Sequence, residues 1–134
     1  MNPMLKVSAA VLIAAMSALP ALAAVNATVV TGMKADIAPV ATLDTMIGKW
    51  GQPELDALGK ASTVTVFDTN KLYTAADIKL VGAADRSASV NLTKLRSALD
   101  ADATLKAWFD KNKIDISHVI AITDANGKVG VYTF

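Results

Sequence analysis

The sequence predicts an α+β fold. It reads as a small single domain with an about three-stranded, mainly antiparallel sheet that ends in a C-terminal hairpin, with helices packed on one face and a cleaved signal peptide in front. Three observations predict this. Two β-rich runs separated by turn residues close the chain. Leucine and aromatic residues recur at helical spacing just before them. An apolar leader followed by small residues opens the chain.

The leader comes first. Lys6 forms a short basic n-region, and Val7 to Leu19 is an apolar h-region interrupted only by Ser8 and Ser17. Pro20 ends it, and Ala21-Leu22-Ala23 places small residues before a cleavage site. Cleavage is assigned after Ala23, with Ala24 and Ala27 as alternatives. An uncleaved anchor would need the apolar run to continue past Pro20 to Val25 before it could span a bilayer. The absence of a twin arginine favours the general secretory route, and the absence of cysteine excludes a lipoprotein. The expected destination is periplasmic or secreted, with no stable membrane insertion after cleavage.

Residues 24–41 read as a flexible or weakly structured N-terminal arm, in which Thr28-Val-Val-Thr31 has strand composition. Gly32, Asp36 and Pro39 punctuate it. Residues 42–134 form the expected domain. Leu43, Met46, Ile47 and Trp50 share a helical stripe, which predicts a helix from about Ala41 to Trp50. Gly51-Gln-Pro53 stops it, and Pro53 can open a further helical stretch from Glu54 to Lys60. Ser62 to Asp68 alternates as a strand, with Val64 and Val66 on one face and Thr63, Thr65 and Phe67 on the other. Lys71 to Val81 leans to helix, and the small polar run Gly82 to Ser89 reads as a loop.

Leu92, Leu95 and Leu99 define one helix, capped by Ser89 or Asn91. Leu105, Trp108 and Phe109 define a second. Asp102 between them is a good N-cap, because its carboxylate can accept from first-turn amides at the positive end of the helix dipole. Asn112 is the expected left-handed residue at the far end. The hairpin follows. His118 to Thr123 and Lys128 to Phe134 flank Asp124-Ala-Asn-Gly127, which suits a type I turn with a glycine bulge. That geometry pairs Asp124 with Lys128, Ile122 with Gly130 and Ile120 with Tyr132. It puts His118, Ile120, Ile122, Tyr132 and Phe134 on one face.

Composition narrows the function. Losing Lys6 with the leader brings the 13 basic residues level with the 12 acidic ones. A neutral mature chain argues against nucleic acid, which needs a clustered basic face. Without cysteine the domain relies on its core for stability. His118 is the only histidine, too few ligands for a metal site without cysteine. No phosphate loop, nucleophile elbow or cofactor fingerprint is present, so no cofactor is expected. The carboxylates Asp100, Asp102, Asp110 and Asp115 fit a capping role and a solvated surface.

The last strand, Lys128 to Phe134, resembles the terminal signature of outer-membrane barrel proteins, but the helical segments cannot supply the eight or more strands that such a barrel needs. The expected function is therefore non-enzymatic binding of an unknown protein or envelope component, or homodimerisation. It would act through an uncovered sheet face or an unpaired edge, with Trp50, Tyr132 and Phe134 as candidate contact residues. The alternatives are a small envelope hydrolase built on Asp and His118, and a structural or stress-related envelope protein.

Overall fold

The computed structural model describes residues 25–125 and 128–134. The expected leader, residues 1–23, lies outside the described residues, as do Asn126 and Gly127 of the hairpin turn. Among the described residues the elements run β1 (Thr28–Thr31), α1 (Val40–Met46), α2 (Gln52–Lys60), β2 (Thr63–Asp68), α3 (Thr69–Leu72), α4 (Ala75–Ser87), α5 (Ser89–Ala101), α6 (Ala103–Lys111), a 3-10 turn (Ile116–His118), β3 (Val119–Ala125) and β4 (Lys128–Thr133). This is a small α+β domain. No helix among the described residues is long and apolar enough to cross a membrane.

The sheet departs from the expectation in three ways. It has four described strands, ordered β1-β2-β4-β3. Thr28–Thr31 is therefore the outer strand of the sheet, where an arm was expected. The sheet is mixed: β1 with β2 and β2 with β4 run parallel, and only β3 with β4 is antiparallel. Parallel neighbours need long crossovers, which the helices between β1 and β2 and between β2 and β4 supply. β4 is central, and its Val129, Gly130, Val131 and Tyr132 are all buried, as befits a strand covered on both faces.

The hairpin register differs as well. Ala125 pairs with Lys128, Asp124 with Val129, Ile122 with Val131 and Ala121 with Tyr132, with an irregularity between Val119 and Ala121. β3 carries on to Ala125, which pairs with Lys128, and the register differs by one from the glycine-bulge pairing. A slip of one moves side chains to the opposite face. Ile122 thus shares its face with Val131, Val129 and Val64, while Tyr132 shares the other with Phe67 and Ala121.

Both faces are buried, which corrects the expectation of an uncovered sheet face. Val64, Ile122, Val129 and Val131 are buried on one side, and Phe67, Ala121 and Tyr132 on the other. Phe67 stacks on Tyr132 with ring centroids 4.7 Å apart. The Tyr132 hydroxyl accepts from the Ala38 amide at 3.4 Å, and the Tyr73 hydroxyl donates to the Ala38 carbonyl. The segment between β1 and α1 thereby closes over the second face. Burial first, then the neighbouring Tyr132 and Asp77, push the Tyr73 phenol up to about 12. Burial also raises Tyr132, partly offset by the Ala38 amide.

The helices follow their sequence signals most closely where caps are present. Asp102 accepts from the Thr104 and Leu105 amides at 3.1 Å each and from the Thr104 hydroxyl at 2.7 Å. Leu92, Leu95, Leu99, Leu105, Trp108 and Phe109 all enter the core. α1 ends at Met46, before Trp50, because Gly48 turns the chain at φ 79°. The expected loop over Gly82–Ser89 is helix instead. Gly82 sits inside α4 where a Cβ would lie 3.4 Å from the Phe134 ring, so its lack of a side chain serves close packing. Ala88 stands at the junction of α4 and α5, where a cap from Ser89 or Asn91 was expected. At the end of α6 the left-handed residue is Lys113 (φ 58°), while Asn112 stays at φ −93°. The Lys113 amide bonds Asp110 O and the Ile114 amide bonds Phe109 O, the pair of bonds that defines a Schellman ending.

Candidate functional site

The two edges of the sheet are treated differently. At the β3 edge, Val119, Ile120, Ala121 and Ile122 are buried. The Gly48 amide donates to the Ile120 carbonyl at 3.4 Å, and Arg96 Nε donates to the Val119 carbonyl at 3.0 Å. Arg96 is held in place by Asp85 at 3.4 Å. α1, α2 and α5 all pack against β3. The edge is thus covered at its Val119–Ile120 end, where an added strand would have to displace Arg96 and Gly48.

The β1 edge is open. The Thr28 amide donates to Ser62 O at 2.9 Å and the Gly32 amide to Val66 O at 2.7 Å. In a parallel ladder alternate residues turn both backbone groups toward the same neighbour. Thr28, Val30 and Gly32 therefore face β2, and the N–H and C=O of Val29 and Thr31 point away from the sheet. Among the described residues no strand pairs with them. Thr28, Val30 and Thr31 are exposed, and Val30 and Met33 keep 44% and 65% of their surface in solvent. The edge has one structural limit: Trp108 Nε1 donates to the Ala27 carbonyl at 3.0 Å and so occupies the acceptor just before the strand.

Glycine makes this edge possible. A Cβ on Gly32 would fall 2.2 Å from Cδ1 of Phe67. The missing side chain lets the chain leave β1 directly over the ring that stacks on Tyr132.

The three residues singled out from sequence lie elsewhere. Tyr132 is buried in the stack with Phe67. Trp50 is half-buried, and its indole donates to the Asn91 carbonyl at 3.2 Å, tying the α1–α2 connection to α5. Phe134 is half-buried against Gly82, and its amide donates to the His118 carbonyl at 2.8 Å. The residues that form the open edge, Val29, Val30 and Thr31, were read only as strand composition. Their signal was a Thr/Val run without a charged residue, followed by glycine.

The polar residues around His118 form a compact cluster with little chemical capacity. His118 sits in the 3-10 turn just before β3, not at the strand start expected from the sequence. Asp115 caps this turn, accepting from the Ser117 amide at 2.9 Å and the Ser117 hydroxyl at 2.7 Å. These two bonds, stronger than the opposing effect of desolvation, hold its carboxyl below the usual range. His118 Nδ1 lies 2.8 Å from the Phe134 carbonyl and must donate to it, while Nε2 is 3.6 Å from Asp115. A nucleophilic triad needs the histidine between hydroxyl and carboxylate. Here the carboxylate is in the middle, and the Ser117 proton is directed at Asp115.

An open cleft of about 660 Å³ lies between α5, α6 and the segment after α6, lined by Arg96, Asp100, Lys106, Asp110, Lys113 and Asp115. Its charges are largely matched internally: Lys106 is 3.6 Å from Asp100 and 3.3 Å from Asp110, which raise its pKa. No group of three or more His, Asp or Glu side chains among the described residues is placed to hold a metal ion. No protein-family model, curated protein or solved structure matches this chain.

Proposed function

We propose that this protein is an exported module, periplasmic or secreted, that binds a protein partner by strand addition at the β1 edge and performs no chemistry of its own. One observation carries the reading. Of the two sheet edges, β3 is covered at Val119 and Ile120 by Arg96 and Gly48, whereas among the described residues no strand pairs with the outward backbone of Val29 and Thr31, beside the exposed Val30 and Met33. An edge strand is a template for another strand unless charge, proline or a covering element blocks it. Here Thr28–Thr31 carries neither charge nor proline.

The hydrolase reading draws less support. His118 is exposed, its Nδ1 is taken by the Phe134 carbonyl, and its Nε2 lies 3.6 Å from Asp115, beyond hydrogen-bond distance.

The test is site-specific crosslinking in the intact cell envelope. A crosslinker at Val30 is expected to capture a discrete partner, and one at Val90, exposed on α5, is not. With the crosslinker kept at Val30, Thr31→Pro, which removes an outward N–H and no bond to β2, is expected to abolish the capture. Equal yields from both positions would rule out the β1 edge as the binding surface.

A further inference from the structure

We infer that the strand occupying the β1 edge is β1 of a second copy of this chain, paired antiparallel about a two-fold axis at Val30. The inference rests on the strand-addition reading and names its partner.

The register follows from which backbone groups are free. Only Val29 and Thr31 direct N–H and C=O outward. In an antiparallel ladder, hydrogen-bonded pairs form between residues that both face the partner. Val29 of one copy therefore exchanges both bonds with Thr31 of the other, and the symmetric pair does the same. Val30 then opposes Val30 of the second copy as a non-hydrogen-bonded pair, where side chains approach most closely. The residue left exposed in the single chain becomes the centre of the contact. Thr28 meets Gly32 of the other copy. The Trp108 indole on Ala27 O marks the end of the ladder, because that acceptor is already taken.

Two features favour a copy of the same chain. The first is charge. A two-fold axis sets each residue near its own equivalent, so charges at a self-pairing edge repel. From Ala27 to Met33 no residue is charged, so nothing opposes self-association. The second is closure. Self-association through unlike edges, β1 on β3, would propagate into filaments. The Gly48 and Arg96 bonds cover the β3 edge at Ile120 and Val119. Among the described residues β1 is the edge that no covering bond reaches along Val29–Thr31, and pairing that edge with its like stops at two chains. Strand-only contacts are small beside the roughly 1,200–2,000 Å² of stable complexes, so the dimer is concentration-dependent.

The chain contains no cysteine, so a single introduced thiol gives a clean readout. Opposed non-hydrogen-bonded residues have Cα atoms about 4.5 Å apart, within disulfide reach. Purified Val30→Cys is expected to form a covalent dimer on mild oxidation roughly tenfold or more faster than Val90→Cys, because association makes the step effectively intramolecular. In hydrogen exchange of the unmodified chain, the Val29 and Thr31 amides gain protection as concentration rises, whereas Thr28, Val30 and Gly32 are protected throughout. Thr31→Pro removes an outward N–H and no bond to β2. It is expected to abolish the dimer while Thr28 and Val30 stay protected. Should that variant fail to fold, the thiol and exchange readouts still decide.

A monomer at every concentration, with Val29 and Thr31 unprotected but Thr28 and Val30 protected, would overturn the self-pairing and leave the edge to a foreign strand. A dimer that persists in Thr31→Pro and oxidises equally from either thiol would also overturn it. Fast exchange across all of Thr28–Gly32 would overturn the strand-addition reading as well.

Discussion

The indole Nε1 of Trp108 donates a buried 3.0 Å hydrogen bond to the carbonyl of Ala27, joining the last helix to the first strand. It packs edge-on against Phe109, with centroids 5.0 Å apart. One side chain thus fills the core and satisfies the acceptor that precedes β1. Trp108→Phe keeps most of the apolar bulk and strands that carbonyl. The expected loss is about 1–3 kcal/mol in urea unfolding, the usual cost of an unpaired buried polar group. No loss would show that water or another donor replaces the indole.

Gly32 and Phe67 make the second prediction. Gly32→Ala places a methyl within 2.2 Å of the ring and forces Phe67 off its stack on Tyr132. A destabilisation of about 1–3 kcal/mol is expected, with a changed near-ultraviolet signal from Tyr132. An unchanged melting temperature would mean that β1 lifts away from the sheet at little cost.

Tyr73 and Tyr132, the only two tyrosines in the chain, meet at Ala38. With the Tyr73 phenol raised to about 12, the folded state holds its proton where the unfolded chain has released it. Its contribution is complete below about pH 10, the ordinary tyrosine value, and is lost as pH rises toward 12. Phenolate absorbance of the native protein should therefore lag behind that of the unfolded protein. Tyr73→Phe should flatten the fall in stability over this range. A native titration centred at the ordinary tyrosine value would contradict the burial of this phenol beside Tyr132 and Asp77.

The Asp102 cap predicts the opposite dependence, at the acid end. Burial would raise its carboxyl, but the Thr104 hydroxyl and the Leu105 and Thr104 amides outweigh it and hold the pKa down. A depressed carboxylate stabilises above the unfolded value, near 3.9, and loses that contribution as pH falls through its folded value. Asp102→Ala should cost about 1 kcal/mol near neutrality, as for other N-caps. The gap from the parent should narrow below about pH 4. A constant gap down to low pH would argue that the cap acts through packing alone.

Lys113 occupies the left-handed position that glycine usually fills in a Schellman ending. Lys113→Gly should relieve that backbone cost and raise stability by about 0.5–1 kcal/mol after the entropy gained by the unfolded chain. A loss of stability would show that the Lys113 side chain contributes to the cleft more than its backbone costs.

The sequence by itself determined the local elements of this domain. Asp102 capped its helix because a carboxylate and its amides lie within three residues of each other. Leu92, Leu95 and Leu99 faced inward because helical periodicity alone places them on one stripe, and Val64 and Val66 shared a face because strands alternate. Tertiary structure decided what depends on distant partners. Gly82 and Ser89 looked like loop residues until Phe134 came to rest on the Gly82 backbone and two helices ran through the region. The hairpin register differs by one residue from the turn-based pairing, since β3 runs on to Ala125 opposite Lys128. The open β1 edge was invisible because openness is a difference between two edges: Gly48 and Arg96 reach one from remote positions, and only Trp108 reaches the end of the other. Local propensity sums over neighbours in the chain, whereas register, burial and the exposure of an edge are set by residues that meet only after folding.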